Sequence, residues 1–142
     1  GLSPRIRFDL TVNEFTKELA MGRELVIFGE QFWRPYCHVN DLSLSVLKVF
    51  ECKNDITDFN VYNVGDESMN FSKMQLVNKI KEYVDFAIID STLPDFDSRN
   101  FIIKYDKITR LGFTPQKTLE DGIKDLIKFF KFYKPTRPFN VI

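Results

Sequence analysis

The stretch Glu24-Leu-Val-Ile-Phe-Gly-Glu-Gln-Phe-Trp-Arg-Pro-Tyr-Cys-His-Val-Asn-Asp41 decides the fold prediction. Residues 25–28 are a short apolar run that predicts a strand. In the loop that follows, Pro35 stiffens the backbone beside Arg34. Asp41 is a good helix N-cap residue, and the apolar repeat after it predicts a helix over 41–52. A strand, a loop with one fixed cation and a helix start together form a corner suited to anion binding.

Helices and short strands alternate on both sides of this stretch, which predicts an α/β or α+β domain. Capping residues and apolar periodicity mark the elements. The predicted elements are a helix from a cap at Asp9 to about Met21 with a stop at Gly22, a strand at 59–65, a helix begun by Ser72 with Gln75, a strand at 86–89, a short helix at 106–112, and a helix begun by Thr118 with Asp121.

Length and charge limit the classes of function. The 142 residues suffice for one domain with a core, and 20 Lys and Arg residues balance 20 Asp and Glu residues. A balanced chain carries no basic field that would attract nucleic acid or an anionic membrane surface. The sequence also has no apolar run near the roughly 20 residues of a membrane span. Neither nucleic acid nor membrane is an expected partner.

Cysteine and histidine usage argues against a metal site. Cys37 and Cys52 are too few for a zinc site or a disulfide framework, and His38 is the only histidine. Reduced thiols predict a cytoplasmic protein. His38 is expected to pack behind the arginine loop rather than act as an acid or base, because no nucleophile or carboxylate is fixed beside it.

Seven short motifs, in one order along nearly the whole chain, resemble the C-terminal part of the extended short-chain dehydrogenase/reductases. This family contains the NAD-dependent nucleotide-sugar epimerases and dehydratases. The motifs are Ser-Pro-Arg-x-Arg-Phe-Asp-Leu at 3–10, Gly22 to Glu30, Gln31-x-Trp-Arg-Pro-Tyr-x-His-Val-x-Asp41, Val61-Tyr-Asn-Val-Gly65, Asp97-Ser-Arg99, Lys107-Ile with Leu111-Gly-Phe, and Thr118-Leu-Glu-Asp-Gly-Ile123.

By this resemblance, Arg34 grips the diphosphate of a nucleotide-sugar substrate. The chemistry of the side chain agrees, because a planar guanidinium donates paired hydrogen bonds to phosphate oxygens and keeps its charge. The structural alternative is that Arg34 pairs with Asp41 or Glu30 and braces the loop.

The resemblance suggests two further substrate contacts. Arg99 would contact a second phosphate or the ribose; alternatively it pairs with Asp95 or Asp97. Thr11, at the start of the first helix, would supply a polar contact to the substrate, or it is simply a threonine of the first helical turn.

Two family motifs are missing from these residues: the Gly-x-x-Gly-x-x-Gly loop that holds the dinucleotide pyrophosphate, and the Tyr-x-x-x-Lys pair. The resemblance therefore implies an intact homo-oligomeric enzyme whose N-terminal Rossmann part, outside this sequence, binds NAD or NADP and oxidises the sugar transiently at C4. Residues 1–142 would be the substrate-binding part, without bound NAD and inactive alone. The alternative is a non-catalytic nucleotide-binding or protein-interaction module with a related fold.

Overall fold

A computed structural model describes residues 1–52, 58–85, 89–90 and 99–135, and it confirms a mixed α/β fold with small sheets. None of the helices in these ranges is long and apolar enough to cross a bilayer. In chain order the elements are α1 (Thr11–Ala20), β1 (Leu25–Val26), β2 (Trp33–Pro35), α2 (Val39–Glu51), a 3-10 turn (Glu67–Met69), β3 (Asn70–Ser72), α3 (Lys73–Lys81), β4 (Ile89–Asp90), α4 (Asp106–Thr109) and α5 (Leu119–Phe132).

The described strands form two small sheets. β1 and β4 are parallel, with Leu25 opposite Ile89, and the N–H of Ile27 extends the pairing by donating to the Asp90 carbonyl over 2.7 Å. β2 and β3 are antiparallel, and Arg34 stands opposite Phe71. The second sheet places the arginine of the central stretch on a paired strand.

Three helices pack around the main core. α1 contacts α3 and α5, and β1 closes one side. Apolar side chains spaced three and four residues apart give each helix one buried face. The buried members of this core are Phe15, Leu19, Leu25, Ile27, Met69, Leu76, Val77, Ile80, Leu119 and Ile123.

The predicted caps of α3 and α5 are confirmed. Ser72 and Gln75 form a reciprocal capping box at the start of α3, and Thr118 and Asp121 form one at the start of α5. Gly22 follows α1 in the left-handed conformation, at φ 67°, which is the usual way for a glycine to end a helix.

The predicted cap of α1 by Asp9 is wrong. The N-cap residue is Leu10, and no side chain caps the helix. Asp9 pairs instead with Arg7, whose guanidinium holds the pKa of that carboxyl below its usual range. The ion pair draws the carboxylate away from the first turn of α1.

The predicted role of Asp41 as a helix cap is also wrong. α2 begins at Val39, and the imidazole Nδ1 of His38 accepts from the N–H of Asn40 over 3.2 Å. Asp41 is almost fully buried, and its carboxylate accepts from the backbone N–H groups of Gln116 and Lys117 over 2.8 and 3.1 Å. Those two N–H groups require an acceptor, and Asp41 supplies it across the fold.

No strand forms at 59–65 in the described part of the chain, so that prediction is wrong. A strand needs ladder partners, and no described strand lies beside this segment. Phe59 has a positive φ of 57° and Val61 is 84% exposed. Gly65 lies against the ring of Tyr105, where a Cβ would come within 2.8 Å. Of the strand predicted at 86–89, only Ile89 lies within the described residues.

Candidate functional site

A cavity of about 330 Å³ lies between the start of α1, residues 34–38 and the start of α5. These three parts of the sequence form most of its walls, Gly1 and Met69 complete the lining, and the core beneath holds them together. Its lining consists of Gly1, Leu10, Thr11, Val12, Asn13, Arg34, Pro35, Tyr36, Cys37, His38, Met69, Thr118, Leu119 and Gly122.

Arg34 brings the cationic group to this cavity. Its Nη1 donates to the carbonyl of Trp33 over 2.8 Å and to the carbonyl of Arg99. Its guanidinium carbon lies 5.7 Å from the centre of the Phe101 ring, which is a cation–π contact. Arg34 is therefore held from both its own strand and the segment that begins at Arg99.

The start of α1 forms the wall to which Thr11 belongs. Because no side chain caps this helix, its first backbone N–H groups are not satisfied in the usual way by an N-cap side chain. These groups and the helix dipole make such a terminus attractive to an anion. The start of α5 also lines the cavity, but there a capping box already uses the N–H groups of Thr118 and Asp121.

Two more polar groups line the cavity, and the sequence did not single them out as ligand contacts. The Tyr36 hydroxyl and the His38 Nε2 are buried and have no hydrogen-bond partner among the described residues. Burial raises the pKa of Tyr36 to about 12 and lowers the pKa of His38, so both groups are neutral near pH 7. Since Nδ1 of His38 accepts a hydrogen bond, Nε2 carries the proton and is a donor.

The charge balance of the cavity favours a negatively charged ligand. Among the described residues that line it there is one arginine and no aspartate or glutamate. The carboxylate of Asp41, a predicted alternative partner of Arg34, accepts from Gln116 and Lys117. A guanidinium, an uncapped helix start and two neutral hydroxyl or imidazole groups can bind an anion with polar substituents.

The structure brings together two of the three predicted site residues. Thr11 and Arg34 line the same cavity, whereas Arg99 is exposed and does not line it. Arg99 does touch the site through its backbone carbonyl, which accepts from Arg34. Its predicted alternative partners, Asp95 and Asp97, lie outside the described residues. The substrate roles of Thr11, Arg34 and Arg99 stay predictions.

Comparison with known proteins identifies the fold. No family model matches the chain. Over 86% of its length the chain resembles the UDP-glucose 4-epimerase of Thermotoga maritima, solved with UDP-glucose, at a TM-score of 0.68 and 28% identity. The chain has the fold of the C-terminal part of the extended short-chain dehydrogenases/reductases.

Other structures of this family share the fold at lower identity. The UDP-glucuronic acid 4-epimerase of Bacillus cereus, in complex with UDP-glucuronic acid and NAD, matches 92% of the chain at a TM-score of 0.68 and 20% identity. A partial-consensus L-threonine 3-dehydrogenase matches 85% of the chain at a TM-score of 0.72 and 18% identity. Since this fold carries both kinds of enzyme, it does not identify a substrate.

The chain spans about 40% of the length of these solved structures: 39% of the Thermotoga epimerase and 42% of the Bacillus epimerase. A curated relative, the uncharacterised protein MJ1055 of Methanocaldococcus jannaschii, is 25% identical over 130 residues, which cover 87% of the chain and 38% of that protein.

The described residues that line the cavity do not form the pyrophosphate-binding turn that NAD, which the resemblance implies, requires. A dinucleotide pyrophosphate needs a glycine-rich turn before a helix. The helices that line the cavity start at Leu10, His38 and Thr118, and in the described structure no glycine-rich turn precedes them. We therefore derive no step through NAD from these residues.

Proposed function

We propose that residues 1–142 are the substrate-binding part of an NAD(P)-dependent enzyme that modifies a nucleotide-diphosphate sugar. The epimerase neighbours support an enzyme of this kind. The NAD-binding groups and the tyrosine and lysine that move protons would belong to the remainder of a longer polypeptide. The reaction would be transient oxidation at the sugar C4, followed by epimerisation, dehydration or reduction.

One observation carries the proposal: Thr11 and Arg34, 23 positions apart, line one cavity that has no acidic side chain in its described lining. The diphosphate would lie between the Arg34 guanidinium and the uncapped start of α1. Tyr36 and His38 would supply neutral hydrogen-bonding groups to the ligand. Binding energy from the diphosphate, which does not react, would thereby orient the sugar for chemistry elsewhere.

The first prediction concerns Arg34→Ala in the full-length polypeptide. We expect UDP-sugar affinity to fall roughly thirty- to a hundred-and-fiftyfold, since one charge-assisted bidentate contact contributes about 2–3 kcal/mol. Arg34→Lys should recover only part of the affinity, because an ammonium group does not fork across two oxygens. Calorimetric titration with UDP-, dTDP-, CDP- and GDP-sugars measures this and also identifies the base.

Two controls make the result specific. Arg110→Ala removes an exposed arginine that does not line the cavity, so its affinity should equal that of the unaltered protein. The free nucleoside, which has no phosphate, should bind equally to the Arg34→Ala variant and the unaltered protein. Normal nucleotide-sugar binding by Arg34→Ala, together with an early thermal transition, would show that Arg34 only braces the loop.

A further inference from the structure

Residues 99–103, which we name the strap, lie against the hairpin that carries Arg34. The Asn100 Oδ1 accepts from the backbone N–H of Trp33 on β2 over 3.0 Å. At the other end, the side chain of Asn70 on β3 donates to the carbonyl of Ile103 and accepts from its N–H, both over 3.1 Å. Two asparagine side chains thus attach the strap to both strands of the hairpin.

Asn70 is a firm anchor for the strap. Its side chain is buried, and its amide also donates to the carbonyl of Glu67 over 3.0 Å. Breaking the contact with Ile103 would leave buried polar groups without partners, which is costly. The far end of the strap is therefore fixed relative to β3.

On either side of the Asn100 anchor the strap contacts the guanidinium of Arg34, through Arg99 and Phe101. The Arg99 carbonyl accepts from Nη1, and the Phe101 ring lies 5.7 Å from the guanidinium carbon. Phe101 is 42% exposed, so burial in the core does not explain its placement. The hydrogen bond to the Arg99 carbonyl lies in the plane of the guanidinium. The contact with the face of the Phe101 ring constrains the orientation of that plane.

The orientation of the guanidinium matters because bidentate binding of a phosphate depends on it. A free arginine side chain has many rotamers, and ordering them on binding lowers affinity. A group that fixes the side chain beforehand removes part of that cost.

We propose that the strap holds Arg34 in its ligand-binding orientation, with Phe101 as a positioning residue. The inference rests on the function proposed above, in which Arg34 binds a diphosphate. Phe101 would act through Arg34, without contacting the ligand itself.

The test is a double-mutant cycle in the full-length polypeptide, with UDP as the titrant. Phe101→Leu keeps apolar bulk but removes the ring, and a contact of this kind predicts an affinity about two- to fivefold weaker. Phe101→Tyr keeps the ring and should bind as the unaltered protein does. Phe132→Leu is the matched control, because Phe132 is 87% exposed at the end of α5 and does not line the cavity.

The decisive arm is Phe101→Leu combined with Arg34→Ala. If Phe101 acts through Arg34, the leucine substitution has no further effect in the alanine background. An equal loss in both backgrounds would overturn the positioning role. If Arg34→Ala lowers the affinity for UDP but Phe101→Leu leaves it unchanged, only the strap inference is overturned. If Arg34→Ala itself binds UDP with unchanged affinity, the proposed function is overturned.

A spectroscopic reading separates positioning from a general loss of structure. Because the Phe101 ring lies over the guanidinium, we expect its ring current to displace the Nε–H resonance of Arg34 in the ligand-free protein. Phe101→Leu should move this resonance, whereas Phe101→Tyr and Phe132→Leu should leave it in place. An unchanged Arg34 resonance in Phe101→Leu would show that the ring does not hold the guanidinium.

Discussion

The imidazole of His38 belongs both to the N-terminal cap of α2 and to the wall of the cavity. Its Nδ1 caps α2 by accepting from Asn40, and its Nε2 lies buried at the cavity wall beside Gly1, where a Cβ would come within 2.2 Å. Protonating Nδ1 would remove the cap acceptor and place a charge in a poorly solvated position. Both consequences oppose the charged form of the ring.

A pH dependence of stability follows from this placement. Burial lowers the pKa of His38 from its ordinary value of 6.5, so as the pH falls below that value the unfolded chain takes up the proton first. We expect the free energy of unfolding to decrease as the pH falls through this window. His38→Asn should remove this contribution while keeping the cap, since asparagine is a good N-cap residue.

Urea unfolding of both proteins at pH 7.5, 6.5 and 5.5 measures the difference. Nearby charges at Asp41, Lys117 and Asp125 are the same in both proteins, and the Gly1 amino group, whose pKa burial lowers to about 6, is present in both as well. Glu14, whose pKa is raised by burial, also titrates in both and cancels in the comparison. Parallel pH profiles for the two proteins would contradict the prediction.

At the residue scale, the sequence predicted the cation but not the groups around it. Arg34 stands out because it is an arginine next to a proline in a motif. His38 was expected to pack behind the arginine loop and Tyr36 was not singled out, because nothing in a sequence shows that a buried polar atom lacks a partner. The motif from Arg34 to His38 was the available signal, since it places all three on one wall.

Among the elements, α2 and α5 are joined by one carboxylate. Asp41 receives two backbone N–H groups from Gln116 and Lys117, which directly precede the N-cap residue of α5. Because α2 follows His38 and the start of α5 lines the cavity, this link sets the distance between two cavity walls.

We expect Asp41→Ala to lower the free energy of unfolding by about 3 kcal/mol. It removes two charge-assisted hydrogen bonds and leaves two N–H groups without an acceptor. The free energy of unfolding of Asp41→Asn should lie between those of Asp41→Ala and the unaltered protein. Asparagine keeps one acceptor oxygen but directs its amide group at the other N–H. Chemical denaturation measures the series, and Ser43→Ala on the exposed face of α2 is the control, with a change within about 0.5 kcal/mol. A small effect of Asp41→Ala would show that water replaces the carboxylate.

The sequence predicted an element well where the interaction that defines it joins residues close together in the chain. The capping boxes of α3 and α5 depend on residues three positions apart, so the sequence contains the whole interaction. The misplaced caps depend on distant or competing partners, namely Arg7 for Asp9 and residues 116–117 for Asp41. The strand predicted at 59–65 failed for a related reason, since pairing depends on a neighbouring strand and not on β propensity alone.

Across the whole molecule, one apolar surface has no cover in the described structure. Leu42, Val46 and Phe50 follow each other at four-residue spacing on α2 and are 52%, 52% and 81% exposed. Leu47 of α2 and Val61 of the segment 59–65 are also exposed. Val64, in the same segment, is half-buried against the cluster around Tyr105 and Ile108. Exposed apolar stripes of this kind mark surfaces that contact other protein.

We therefore expect the 142-residue chain, expressed alone, to form dimers or larger species through this α2 stripe. Sedimentation equilibrium measures the association, and hydrogen exchange at residues 59–65 shows whether amides outside the described strands become protected in the associated form. Val46→Glu with Phe50→Glu should yield monomers, because a charge in an apolar contact is costly to bury. Lys48→Glu, which places the same charge on α2 away from the stripe, is the control. A clean monomer of the unaltered chain with well-protected amides at 59–65 would contradict the prediction.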